Sequence, residues 1–336
     1  MKKSRIFFLL LVTALLLGTV TGCGAGADDG IITIVVADNG WDSQRIHNAL
    51  ARIVVENAFD GFRLTLSTAS TPMNWESIRN GDVDLEIEAW AEHVATFPED
   101  VSSGDMVVLG VVVPDGRQGV FVPRFVIEGD PARGIAPMAP TLVRLDDLPR
   151  YAHVFPDYEN PARGRLFGAI PGWMSDERLY MIYLYHGLDA YFNYIRLGSE
   201  AALFASLISA YEMGVPWLGY SYSPSWIAGV LDLVELETDP FEPEAFLEGR
   251  TGFPIQPLMT ISSRFFSDRV GPELVGFFNR FATGGELISQ ALAYMINTPG
   301  ATHEQTAIWM LTNNDHLIDE WLEPENAQRL RAFLSQ

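Results

Sequence analysis

The sequence predicts an α/β chain folded as two lobes that hinge around a ligand cleft. Apolar, β-branched runs alternate with amphipathic stretches, the pattern of βαβ units building a parallel sheet. Two changes of character, a Pro- and Gly-rich break at 114–119 and another near 226–231, read as crossings between lobes. At 336 residues and 48% hydrophobic, the chain has apolar side chains enough for two cores. The lobes expected are 31–116 joined with 231–336, and 117–230 inserted between them. Two lobes joined by two crossings can close on a ligand.

Residues 31–37 are an apolar run that reads as a buried strand. It ends at Asp38-Asn39-Gly40-Trp41-Asp42, after which Ser43 reads as the cap of a helix with the stripe Ile46, Leu50, Ile53 and Val54. Such a junction points free backbone N–H groups past the sheet edge. Residues 63–67 read as a strand and 75–80 as a short helix ending at Gly81. Next, Val83, Leu85, Ile87 and Ala89 alternate with Asp82, Asp84, Glu86 and Glu88, a strand with one buried and one solvated, acidic face. Trp90 falls on the acidic side at the carboxyl end, where open α/β sheets place their clefts. Strands are also expected at 106–113, 120–127, 167–170, 215–222 and 231–236. Helices are expected at 175–186, 201–212, 272–281, 286–296, 302–313 and 325–334, with 128–165 a loop around a short helix at 145–148.

The amino terminus has its own grammar. Lys2, Lys3 and Arg5 precede an apolar run at 6–17 and then Val20-Thr21-Gly22-Cys23, the pattern of an export signal (1–22) ending in a lipobox. Cys23, the single cysteine, is the expected lipid-carrying residue, and 23–30 a flexible tether. The signal takes three of the 22 basic residues and no acid, leaving 19 basic against 43 acidic residues. So negative a body excludes nucleic acid as a partner and argues against adhesion to anionic lipid, leaving the acyl anchor as its hold on the membrane. There is no Gly-x-Ser-x-Gly elbow, His-Glu-x-x-His, Walker loop or dinucleotide fingerprint, and six scattered histidines lack metal spacing. No metal, cofactor or catalytic residue is expected. Glu86 and Glu88 are too cramped for a glycosidase pair; a secreted lipoprotein hydrolase is the distant alternative.

Aromatic side chains recur at equivalent places. Ala89-Trp90 and Tyr222-Ser223-Pro224-Ser225-Trp226 end strands, Gly172-Trp173 lies between a strand and a helix, and Gly40-Trp41 starts a helix. With Gly81-Asp82-Val83-Asp84, Gly119-Val120-Phe121-Val122-Pro123, Pro171-Gly172-Trp173 and the closing Asp319-Glu320-Trp321-Leu322, these segments resemble the substrate-binding proteins of ABC transporters for glycine betaine, proline betaine and related quaternary amines. The resemblance implies a two-lobe periplasmic-binding-protein fold of type II kind. It implies a lipid-anchored protein on the extracytoplasmic face, acting as a monomer and delivering ligand to a permease and its ATPase subunit. It further implies a prism of three rings, Trp90, Trp173 and Tyr222, around the trimethylammonium head, the third place more usually being Trp. The ligand carboxylate would meet the backbone N–H groups of Gly40 and Trp41. Ser225 stands where the family's His usually adds to that anchor. His93 is a substitute donor or else a solvated loop histidine. Receptors for choline, carnitine or another small cation are the alternative within the same fold.

Rings suit such a head because a quaternary ammonium has no N–H to satisfy a buried carboxylate, whose desolvation costs several kcal/mol. Each dry aromatic face contributes about 0.5–2 kcal/mol, so three rings fall short of the roughly 8 kcal/mol of a micromolar complex, and contacts to the rest of the ligand supply the remainder.

Overall fold

The computed structural model describes residues 30–336; the expected signal at 1–22 and the lipidation site Cys23 lie outside the described residues. Its strands are β1 (Ile32–Asp38), β2 (Phe62–Thr68), β3 (Leu85–Ala89), β4 (Met106–Pro123), β5 (Gly164–Phe167), β6 (Phe192–Ile195), β7 (Gly219–Ser223), β8 (Leu233–Glu235) and β9 (Gln256–Ser263). They run in the order β2-β1-β3-β9-β4-β7-β5-β6, with β8 beside β4. β1 is parallel to β2 and β3, and β5 to β6 and β7. β4 and β9 pair antiparallel with every neighbour, so the sheet is mixed rather than wholly parallel.

The turn-rich stretch at 114–119 is not a break but part of the continuous strand β4. Register shifts against β9 between Val111, Val113 and Gly116 bend it there. β4 pairs with β9 as far as Gly116 and with β7 from Arg117 onward, so one strand serves both halves of the sheet. Beyond Pro123 the chain turns helical (Arg124–Glu128) where a strand was expected.

Two large cores flank this junction. One draws on residues between Ile34 and Val113 and between Leu258 and Leu330. The other draws on residues between Val120 and Phe246, with Trp41 added. Leu236, Phe246 and Phe253 pack with the second core, and β8 pairs with β4 at 121–123. Residues 231–255, expected with the first lobe, therefore pack with the second, and the chain returns at β9. That strand reads as loop because prolines precede it and its buried positions include Thr260, Ser262 and Ser263.

The helix Asp42–Ala58 buries Ile46, Leu50, Ile53 and Val54 as its stripe predicts, and the helices His303–Asn313 and Pro324–Leu334 pack on it. Ser43 does not cap it. The N-cap is Trp41, and the Ser43 hydroxyl turns to Glu88. Among the described residues no helix is long and apolar enough to cross a membrane.

Candidate ligand-binding site

β3 sets the site. All five of its residues are buried, so the acidic face expected in solvent is inside the protein. Asp84, Glu86 and Glu88 are 2%, 1% and 0% exposed, which requires each to find donors. Asp84 accepts from the Val35 N–H and pairs with Arg269. Glu86 accepts from Asn39 Nδ2 at 2.7 Å, while its second oxygen is buried without a partner among the described residues. Burial, offset in part by that bond and reinforced by Glu88, pushes the Glu86 carboxyl up to about 8. Glu88 accepts from Trp41 Nε1 (2.9 Å) and Ser43 Oγ (2.6 Å) and faces His47 Nδ1 at 2.6 Å.

Where β3 ends, Trp90 packs against both cores. The Trp90 and Tyr222 ring centroids are 6.1 Å apart at 85°, and those of Trp173 and Tyr222 5.8 Å apart at 88°. Trp41 meets Trp173 edge-on at 5.5 Å. Trp90, Trp173, Tyr222 and Trp41, expected from sequence, thus line one small cleft. A fifth ring, Tyr220, lines it too, stacked beside Tyr222 at 6.1 Å. Tyr220 and Tyr222 are two apart on β7 and so share a face, a signal the sequence carries.

The polar ends of four rings are engaged within the protein. Trp41 donates to Glu88, Trp173 to the Asn39 carbonyl (3.0 Å), Tyr220 to Gln118 Oε1 (2.8 Å) and Tyr222 to Glu200. What remains for a ligand is ring faces. Among the described residues, none that lines the cleft bears a formal charge.

His93 lines the cleft and is buried, not solvated. Its ring stacks on Trp90 at 6.0 Å. The carboxamides of Gln118 and Gln256 both face its Nε2, at 2.6 and 2.8 Å. Their oxygens already accept from the Tyr220 hydroxyl and the Glu92 N–H, so their NH₂ groups point at His93. Nε2 is then an acceptor and the ring proton sits on Nδ1. Burial, with Arg178 nearby, pulls the His93 pKa down to about 3, so the ring is neutral at physiological pH.

Gly40 and Ser225 do not line the cleft. The Gly40 N–H is taken by Asp38 Oδ1 at 3.0 Å, in a left-handed turn (φ 99°) that suits glycine. Ser225 caps the helix Trp226–Val230, accepting from the Ala228 N–H and donating to the Tyr222 carbonyl at 2.6 Å. Its hydroxyl is spent on the backbone. Thr71, which sequence reasoning missed, lines the cleft, and its buried hydroxyl has no hydrogen-bond partner among the described residues. Its N–H donates to the Gly172 carbonyl beside Trp173, and nothing in the local sequence announces either role.

Two lobes meeting on an aromatic, uncharged slot make a binding protein for a small solute. The chain belongs to the family described as the substrate-binding domain of ABC-type glycine betaine transport systems, which it matches over residues 32–313. It is 24% identical over 313 residues to the trimethylamine N-oxide-binding protein of Pelagibacter ubique (strain HTCC1062), spanning 90% of this chain and 95% of that one. Its fold matches the glycine betaine/L-proline-binding protein ProX of Borrelia burgdorferi with a TM-score of 0.71 at 16% identity, covering 89% and 100% of the two chains. A choline-binding protein of an ABC transporter, solved with choline, matches with a TM-score of 0.71 at 15% identity, covering 90% and 98%.

Proposed function

We propose that this protein captures a small compound bearing a trimethylated nitrogen and delivers it, unconverted, to an ABC permease driven by its ATPase subunit. One observation carries the reading: the rings of Trp90, Trp173 and Tyr222 converge on a cleft with no charged lining residue. Faces of that kind attract a permanent cation at low desolvation cost. The lobes 31–116 with 231–336 and 117–230, their second boundary moved to about 255 by the packing of β8 and Phe253, would close over the ligand. Glycine betaine and its relatives are the leading ligands, in keeping with the names of the relatives.

Choline and other ligands with an uncharged tail form a second reading, favoured by the uncharged lining of the cleft. Gly40 N–H and Ser225 are engaged within the protein, no basic side chain lines the cleft, and Thr71 offers an unused hydroxyl. Leaving that hydroxyl buried and unpaired costs roughly 1–3 kcal/mol, which a ligand oxygen would restore. Attachment through Cys23 and an extracytoplasmic location, supported by the signal-like start, complete the proposal together with a monomeric state.

Isothermal calorimetry with glycine betaine, proline betaine, choline, carnitine and trimethylamine N-oxide tests it. At least one should bind with micromolar or better affinity, and dimethylglycine should bind more weakly than glycine betaine. Failure of the whole panel, or equal binding of the tertiary analogue, would overturn the cage.

A further inference from the structure

Glu88 and Glu200 do not line the cleft, yet each accepts a hydrogen bond from a ring that does. Glu88 lies at a register shift in β3, and it alone among the described non-glycine residues has a positive φ, 66°. Such a backbone is strained and persists only where the surroundings impose it. What it achieves is to turn a fully buried carboxylate onto Trp41 Nε1, with Ser43 and His47 holding it there. Glu200, in the first turn of the helix Glu200–Met213, arrives from the other side of the sequence and does the same for Tyr222. Its second oxygen accepts from the Asp42 N–H at 3.1 Å.

A carboxylate accepting the N–H or O–H of an aromatic ring adds electron density to that ring. It also sets negative charge behind the face that a cation would meet. Both effects gain in a dry interior, where charges are poorly screened. We propose that Glu88 and Glu200 determine specificity without touching the ligand: by accepting from Trp41 and Tyr222 they make the cleft favour a cationic head over an uncharged head of the same shape. This rests on the reading that the cleft takes a trimethylated nitrogen. Burial, with Asp42 close by, pushes the empty-state Glu200 carboxyl up to about 8, despite the bond from Tyr222. A cation against the Tyr222 face opposes that push, so the bound ligand selects the ionised form.

Carbon isosteres separate charge from shape. Choline is paired with 3,3-dimethylbutan-1-ol and glycine betaine with 3,3-dimethylbutanoate, and calorimetry is run at pH 8.5, above the empty-state Glu200 value of about 8. In the parent, the member of at least one pair that carries the quaternary nitrogen should bind more tightly. In Glu200→Gln the affinity ratio of that pair should fall at least fivefold, the isostere itself changing by less than twofold. Tyr222→Phe, which keeps the ring and removes the bond to Glu200, should lower the ratio in the same direction and covers the case of a poorly folded Gln variant. Equal weakening of both members, or an unchanged ratio in both variants, would overturn the inference while leaving the cage intact. Failure of the parent to bind either quaternary compound, with the rest of the calorimetry panel also silent, would instead remove the cage, and this inference with it.

Discussion

Trp90 and Trp173 reach the cleft by different routes, one from the end of β3 and the other from a turn preceding the helix Met174–Tyr185. Trp173 is fixed by its bond to the Asn39 carbonyl and contacts Trp41, Tyr220 and Tyr222. Replacing Trp173 by Ala removes one cage face and the support of three others, whereas Trp90→Ala removes a face that stands at the rim. Both should weaken the best ligand at least tenfold by calorimetry, Trp173→Ala more than Trp90→Ala. Parent-like binding by both variants would exclude these rings from the site. The places of the rings were legible in the sequence as aromatics at strand ends and turns, and their grouping only as what the family resemblance implies. The groups behind them were not: Glu88 and Glu200 look like surface acids until tertiary packing closes over them.

At the scale of elements, the same alternation misleads. A strand of apolar and acidic residues by turns reads as half-solvated, but β3 lies between β1 and β9 in the middle of the sheet and is covered on both faces. The acids survive there because Asn39, Ser43, His47 and Trp41 come from the β1–helix junction that packs above them. β9 was invisible for the converse reason: its buried Thr and Ser residues carry too little apolar signal to mark a central strand. Ser225 gives the clearest test of an element-scale role against a ligand-scale one. As the cap of Trp226–Val230, Ser225→Ala should lower stability by about 1 kcal/mol in urea unfolding. Ligand affinity should change by less than threefold; a tenfold loss without destabilisation would return Ser225 to the binding machinery.

For the molecule as a whole, the buried titratable groups fix how stability responds to pH. Glu86 and Glu200 hold their protons up to about pH 8 in the folded chain but lose them near 4.5 once unfolded. Between those values the native state binds more protons than the unfolded one, so stability falls as pH rises. His93 acts in the opposite sense lower down. Neutral in the fold until about pH 3 and protonated near 6.5 when unfolded, it makes stability fall as pH drops through that window. Where the windows overlap, two carboxyls outweigh one imidazole, which places the maximum near the bottom of the carboxyl window, at mildly acid pH. The excess of 43 acidic over 22 basic residues adds self-repulsion at high pH and pushes the same way. The melting temperature of the empty protein should therefore be about 5 °C or more higher at pH 5 than at pH 8. General repulsion and the buried acids are separable, because Glu86→Gln leaves the surface charge untouched. That variant should gain stability at pH 8 and lose part of the pH slope. If instead the parent melts higher at pH 8 than at pH 5, or the Gln variant retains the full slope, then Glu86 is ionised in the fold and its unpaired oxygen must find a partner such as a bound water.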